Sequence, residues 1–344
     1  MTRTKFQLSF AVSICLMALT TSPATAQLKP TIDPNIQTYV RSTAITGTLS
    51  IAGSDTMKSL TQRWEGKLRE IYPDFSIQAQ GLGSETGALA LLDGKAQIAT
   101  LSRKMTLEEI AAFTKRYGYE PTEVPVAADA LAVFVHRDNP VTGLTLQELD
   151  AIFCKERRRG SDQPITNWGQ LGLGDEWSQA GIRLHGRNSS SGSATFFLEH
   201  VCQNGEFLPT LKPAPGAASI VVEITKDRYA AGFSGIGFRT SKVRPIALAD
   251  RKGSAFVEPN FETVINGTYP LRRHLYLYVN KPPKSVLPAI VSEFIKFAIS
   301  QEGQQVVAKE GFFPLPAEEL NRQLAAWTQP IQAATAGHSI PSRD

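Results

Sequence analysis

The sequence predicts an α/β fold. Two observations carry the prediction: three strand–turn–helix units follow one another between residues 48 and 113, and glycine and serine build the turns between them. Composition agrees, because 344 residues with 42% hydrophobic and 20% charged content describe a globular chain of one large or two ordinary domains.

In the first unit TLSIAG has strand character, and Met57, Leu60, Trp64 and Leu68 recur behind it at helical spacing. The second runs from FSIQAQ through a glycine-serine turn into a short helix. The third joins AQIATLSR to MTLEEIAAF, with Thr106 and Glu109 placed as a capping box. ALAVFVHRDNPV, 130 to 141, reads as a longer apolar strand, after which the chain changes character. LTLQELDAIF is helical, the 155–166 stretch is polar, and IRLHGRNSSSGSATFFLEHVC repeats the order strand, serine-glycine turn, helix. YAAGFSGIGFRT supplies a glycine-rich strand. From about residue 244, RPIALAD, HLYLYVNK and VLPAIVSEFIKFAIS read as strands and a helix that complete the first lobe. The expected organisation is an arm at 27–47, lobe 1 from 48–129 and 244–320, lobe 2 from 130–243, and a tail at 321–344.

Residues 1–26 read as a removable secretory signal. Arg3 and Lys5 precede an apolar run from Leu8 to Leu19, and Ala24-Thr25-Ala26 fits a small-x-small cleavage site before Gln27. Ser9 and Ser13 interrupt the run and Thr20 closes it, which argues against a membrane anchor; Cys15 lies inside the run, so no lipid-attachment pattern follows. The remaining chain carries 34 basic and 32 acidic residues, an excess of +2 that is too small to predict nucleic-acid binding. KERRRG, 155 to 160, reads as a solvated loop rather than a docking patch. Export would leave Cys154 and Cys202 in an oxidising compartment, which suggests one disulfide, with two separate buried thiols as the alternative.

Four turns share one physical design. Ser54-Asp55-Thr56, Gly83-Ser84-Glu85, Ser102-Arg103 and Ser191-Gly192-Ser193 each stand at or near an expected helix start, where unpaired N–H groups and the helix dipole favour an anion. Any one of them, taken alone, reads as an ordinary N-cap. Four in one chain, one beside Arg103 and one behind Arg187, point to an oxyanion cage, since the planar guanidinium makes paired bonds to tetrahedral oxyanions. Catalysis finds little support: the frame around Ser189, Ser190, Ser191 and Ser193 lacks the G-x-S-x-G elbow, and no partner base is identifiable. The five histidines have no metal-ligand spacing, and no phosphate-cradling G-x-x-x-x-G-K-[ST] loop occurs. No catalytic residue, metal or cofactor is therefore assigned.

The ordered segments GSDTMKSLTQRW, GLGSETGA, IATLSR, LTLQELDAIF…ITNW, GRNSSSGSATFF and YPLRRHLYLYVNK…SEFIKFAISQEGQQVVAKEGFFPL span roughly residues 45 to 316. Together they resemble the PstS-like periplasmic phosphate-binding proteins that feed ABC transporters. The resemblance implies a two-lobed type II periplasmic-binding-protein fold with a ligand cleft between the lobes. It further implies capture of inorganic phosphate, delivery to a membrane permease, a periplasmic location and a monomeric chain. Carried over by position, the ligand set is Ser54, Asp55, Thr56, Ser84, Ser102, Arg103, Arg187, Ser191, Gly192 and Ser193.

Two departures from the family pattern bear on selectivity. Ser193 stands where the family usually has threonine, which keeps the hydroxyl. Ser102 stands where some members place a carboxylate that accepts the proton of hydrogen phosphate, a proton that sulfate does not have. Asp55 is the expected replacement acceptor, with a plain helix N-cap as the alternative role and Glu85 as a second candidate. A Cys154–Cys202 bridge would pin the segment carrying Arg187 and Ser193. Receptors for sulfate, molybdate or tungstate, an exported phosphoesterase, and an adhesion or matrix protein on the same fold are the competing readings.

Overall fold

The first two strands pair in parallel because the helix between them carries the chain back to the end of the sheet where the first strand began. The computed structural model describes residues 32–328, so the expected signal at 1–26, the start of the arm and residues 329–344 lie outside it. In chain order the strands are β1 (Gly47–Gly53), β2 (Phe75–Gly81), β3 (Ile98–Leu101), β4 (Thr122–His136), β5 (Gly143–Thr145), β6 (Arg183–Arg187), β7 (Lys212–Ala214), β8 (Ala230–Gly235), β9 (Val243–Pro245), β10 (Ala247–Ala249) and β11 (Arg272–Val279). The helices are α1 (Lys58–Ile71), α2 (Ser84–Leu92), α3 (Leu107–Tyr117), α4 (Leu146–Phe153), α5 (Gly192–His200), α6 (Ala217–Lys226), α7 (Phe261–Ile265), α8 (Ala289–Ala298), α9 (Gln301–Lys309) and α10 (Ala317–Thr328).

A nine-stranded sheet runs β2-β1-β3-β11-β4-β8-β6-β7, with β9 also on β4; β5 and β10 form a separate parallel pair. The 15-residue strand β4 ties the halves together. Thr122–Ala130 pairs antiparallel with β11, and Leu131–Val135 pairs antiparallel with β8. Val126 to Val135 are all buried, as expected for a strand covered on both faces. The result is the two-lobed α/β architecture, with β4 passing from one lobe into the other.

Two sequence groupings change. Sequence order groups residues 244–250 with the first lobe, but β9 bonds to Phe134–His136 and β10 to Gly143–Thr145. Strand character in a short apolar run does not name its partner, and the return crossing comes only at β11. Residues 321–328, expected to form a tail, instead continue α10, where Leu320 and Leu324 are buried.

Helix α1 shows how local pattern becomes packing. Leu60, Trp64 and Leu68 fall on one face and are fully buried, each worth about 1.5–3 kcal/mol of transfer free energy. The Trp64 indole N–H donates to the Gly303 carbonyl at 3.0 Å, which satisfies its one polar atom. The arm is docked rather than free: Ile36 and Ile45 are buried, and the hydroxyls of Tyr39 and Ser42 converge with Lys296 on Glu293. Burial works against the Glu293 carboxylate, but hydrogen bonds from Ser42, Tyr39 and Lys296 outweigh it and hold the carboxyl below its ordinary range.

Cys154 follows α4, Cys202 follows α5, and the two form a disulfide with Cα atoms 5.6 Å apart. The KERRRG loop works with it. Arg159 donates through Nε to the Val201 carbonyl at 2.8 Å and through Nη2 to the His200 carbonyl at 2.5 Å, satisfying acceptors at the C-terminal end of α5. A covalent bridge and two charge-assisted hydrogen bonds thus hold the far end of the helix whose N-terminus carries Ser191, Gly192 and Ser193. We expect reduction of the bridge to remove roughly 2–4 kcal/mol of stability; identical melting of oxidised and reduced protein would show that it holds nothing.

Candidate functional site

Strand β1 delivers the Ser54-Asp55-Thr56 turn to the carboxyl edge of the sheet, where the Ser54 N–H donates to the Thr100 carbonyl at 2.7 Å. Strand β2 delivers Gly83 and Ser84 at the start of α2, and Ser102 directly follows β3. From the other lobe, β6 ends at Arg187 and the chain enters α5 through Ser191. Carboxyl ends of parallel strands are where open α/β sheets leave a crevice.

The segments meet at close range. Ser102 N–H donates to Ser84 Oγ at 3.0 Å, and the two hydroxyls lie 3.4 Å apart. Glu85 N–H donates to the Ser190 carbonyl at 3.3 Å, and Ser190 Oγ donates to the Leu82 carbonyl at 3.2 Å, so both lobes are in direct contact. Two glycines permit this approach. Gly83 has φ +126°, and a Cβ there would lie 2.3 Å from the Ser190 carbonyl oxygen; a Cβ on Gly192 would lie 2.2 Å from Ser84 Oγ.

Asp55 and Arg187 form the charged centre. Arg187 Nη2 donates to Asp55 Oδ1 at 2.7 Å, with the arginine side chain 2% exposed. Asp55 Oδ2 accepts the N–H of Ala217 at 2.9 Å, the first residue of α6, so the carboxylate also sits at a helix N-terminus. The remaining Arg187 nitrogens, Nε and Nη1, are buried with no protein partner, as are Thr56 Oγ1 and Ser191 Oγ. Buried donors left unpaired cost about 1–3 kcal/mol each, and a guanidinium cannot shed its proton. This donor set is chemically suited to an oxyanion.

The other assigned residues divide by contact. Ser54 and Ser191 occupy N-cap positions, but neither side chain caps its helix, so the ordinary-cap alternative does not account for them. Ser102 is not at a helix start: α3 begins at Leu107 behind Thr106, whose capping box with Glu109 is formed. Arg103 is turned to Glu109, which it grips through two bonds of 2.7 Å, and it lines a separate groove of about 830 Å³ with Phe196, Arg273 and His274. The Ser193 hydroxyl accepts from Arg273 at 2.8 Å. Glu85 is exposed, which leaves Asp55 as the carboxylate beside Arg187.

Sequence reading missed Asp129, Arg273 and the N-terminus of α6. The signal for Asp129 was present as a lone carboxylate inside the apolar run VPVAADALAVFV, a position that demands a cationic partner. Nothing local marks Arg273 as that partner, 144 residues later.

The family model for the PBP superfamily domain matches residues 39–302. The phosphate-binding protein PstS of Pseudomonas aeruginosa is 46% identical over 287 residues, covering 83% of this chain and 89% of that protein. The chain belongs to the PstS-like family. A solved Clostridium perfringens structure, described as a phosphate ABC transporter substrate-binding protein with bound phosphate, is 26% identical with a TM-score of 0.66, and the alignment covers 78% of this chain and all of that one. An ABC-type phosphate transport receptor from Vibrio cholerae, 24% identical with a TM-score of 0.60 over 78% of this chain and all of that chain, shares the fold. The PstS-like chain thus presents its serine turns, Asp55 and Arg187 at the contact between two lobes.

We expect Gly192→Ala to hold the lobes apart, because the added methyl meets Ser84 Oγ and Ser102 Oγ at 2.2 and 2.8 Å. Small-angle scattering should show a more open chain, with at least tenfold weaker ligand binding; an unchanged profile and affinity would contradict the close approach.

Proposed function

We propose that this PstS-like chain is exported to the periplasm and there captures inorganic phosphate between its lobes for delivery to the permease of an ABC transporter. The observation that carries the reading is Arg187. Two of its nitrogens are buried without a protein acceptor, and Thr56 Oγ1 and Ser191 Oγ, in the segments that meet there, are in the same condition. A tetrahedral oxyanion supplies acceptors in several directions at once, which a planar ligand or a single water does not. The 46% identical relative named for phosphate binding and the phosphate-bound fold relative support the choice of anion.

In this reading Thr56, Ser84, Ser102, Ser191, Ser193 and the Gly192 N–H donate to phosphate oxygens, and Arg187 supplies charge and a fork of donors. Ser54 and Arg103 shape the turns around the ligand, with Arg103 held by Glu109. Asp55 has two duties. Each of its oxygens already accepts one bond, from Arg187 and from Ala217, and each keeps a lone pair. One of these accepts the proton of hydrogen phosphate, and the same lone pair repels fully ionised sulfate. In this reading the chain acts as a monomeric receptor rather than a catalyst.

Titration calorimetry with phosphate, arsenate, sulfate and molybdate tests the reading. The wild-type chain should bind phosphate preferentially; preference for molybdate or sulfate, or binding of none, would overturn it. Arg187→Ala removes two charge-assisted bonds worth about 1.5–3 kcal/mol each and leaves Asp55 facing the anion, so affinity should fall at least a hundredfold. Asp55→Asn should weaken phosphate binding and narrow the phosphate-to-sulfate ratio. A ratio that stays fixed while both affinities fall would leave Asp55 as the anchor of Arg187 alone.

A further inference from the structure

Arg273 on β11 and Asp129 on β4 form an ion pair sealed from solvent, with side chains 1% and 0% exposed. Arg273 Nε and Nη2 donate to Asp129 Oδ2 at 2.9 and 2.8 Å, while Asp129 Oδ1 accepts the Ile236 N–H at 3.2 Å. The Phe196 ring lies against the guanidinium, its centroid 5.8 Å from Cζ. Held in this way, Arg273 directs its third nitrogen, Nη1, at Ser193 Oγ, 2.8 Å away.

Direction matters in that last bond. A guanidinium has donors and no acceptor, so the Ser193 oxygen must accept and its own proton must turn elsewhere. No protein group takes that proton among the described hydrogen bonds, and Ser193 is the second residue of α5, next to the Gly192 that abuts Ser84 and Ser102. A serine hydroxyl free on every side presents either a proton or a lone pair, and a lone pair facing an oxyanion is repulsive. Fixing the choice before binding removes that cost. Resting on the phosphate-receptor reading, we propose that the Asp129–Arg273 pair is a positioning device: it loads the Ser193 oxygen from behind and makes the hydroxyl an obligate donor to the bound anion. Buried ion pairs contribute little to stability against an apolar replacement, so orienting a ligand contact gives this one a function that stability does not.

A double-mutant cycle separates this role from a structural one. Phosphate affinity is measured by calorimetry for wild type, Ser193→Ala, the paired replacement Asp129→Asn/Arg273→Met, and the triple variant. The paired replacement leaves no lone buried charge. We expect Ser193→Ala and the paired replacement each to weaken binding roughly tenfold, and the triple variant to be no weaker than either. Equal losses from the paired replacement with and without the Ser193→Ala substitution would overturn the proposal, as would no loss when Ser193 is intact. Failure of wild type to bind phosphate strikes the receptor reading instead, and an unaffected Ser193→Ala strikes the serine contact itself; either removes the basis of the proposal. Arg273→Lys covers the case in which the paired variant does not fold. One ammonium keeps Asp129 neutralised but cannot serve Asp129 and Ser193 in the fork geometry, so weaker binding with unchanged melting supports the proposal, and wild-type affinity refutes it.

Discussion

A guanidinium that is only 2% exposed must be met by negative charge, and the architecture around Arg187 follows from that requirement. Asp55 supplies part of the answer across the lobe boundary and is itself held by the first N–H of α6. One carboxylate therefore fixes the direction of the arginine fork, the position of a helix end and the approach of the two lobes. The pair leaves Nε and Nη1 of Arg187 unmatched, a surplus of buried donors that a closed structural bridge would not leave.

Close approach is the second constraint. Serine hydroxyls contribute to one site only if their turns come within hydrogen-bond distance, and the turns do so only where side chains are missing. Gly83 and Gly192 provide the gaps, and Ser84 Oγ occupies the space that a Cβ on Gly192 would need. Rigidity comes from farther out. The Cys154–Cys202 bridge and the Arg159 contacts fix the C-terminal end of α5, so its N-terminal turn meets the opposite lobe as a stiff element.

Local pattern made much of this legible. Helical spacing in α1, the capping box at Thr106, and the glycine-serine turns are encoded within a few residues, and physics acts on them locally. The four serine turns came from such patterns, and the family resemblance added the ten-residue ligand set by position. Contacts join Ser84 to Ser102, Gly83 to Ser190 and Asp55 to Arg187, while the Arg103 guanidinium is spent on Glu109 in the first turn of α3, a partner that the turn pattern did not show. The assignment of residues 244–250 moved for a similar reason: three-residue strands carry too little pattern to choose among neighbouring edges.

By itself the sequence determined the α/β class, the order of its units, the serine turns and the presence of one arginine before the fourth. Those properties depend on residues close in the chain. Only the tertiary structure decided that Asp55 holds Arg187 across 132 residues, that the Ala217 N–H holds Asp55, and that Asp129 and Arg273 stand behind Ser193. A buried charge takes whichever opposite charge the fold brings within reach, and distance along the chain carries no record of that choice.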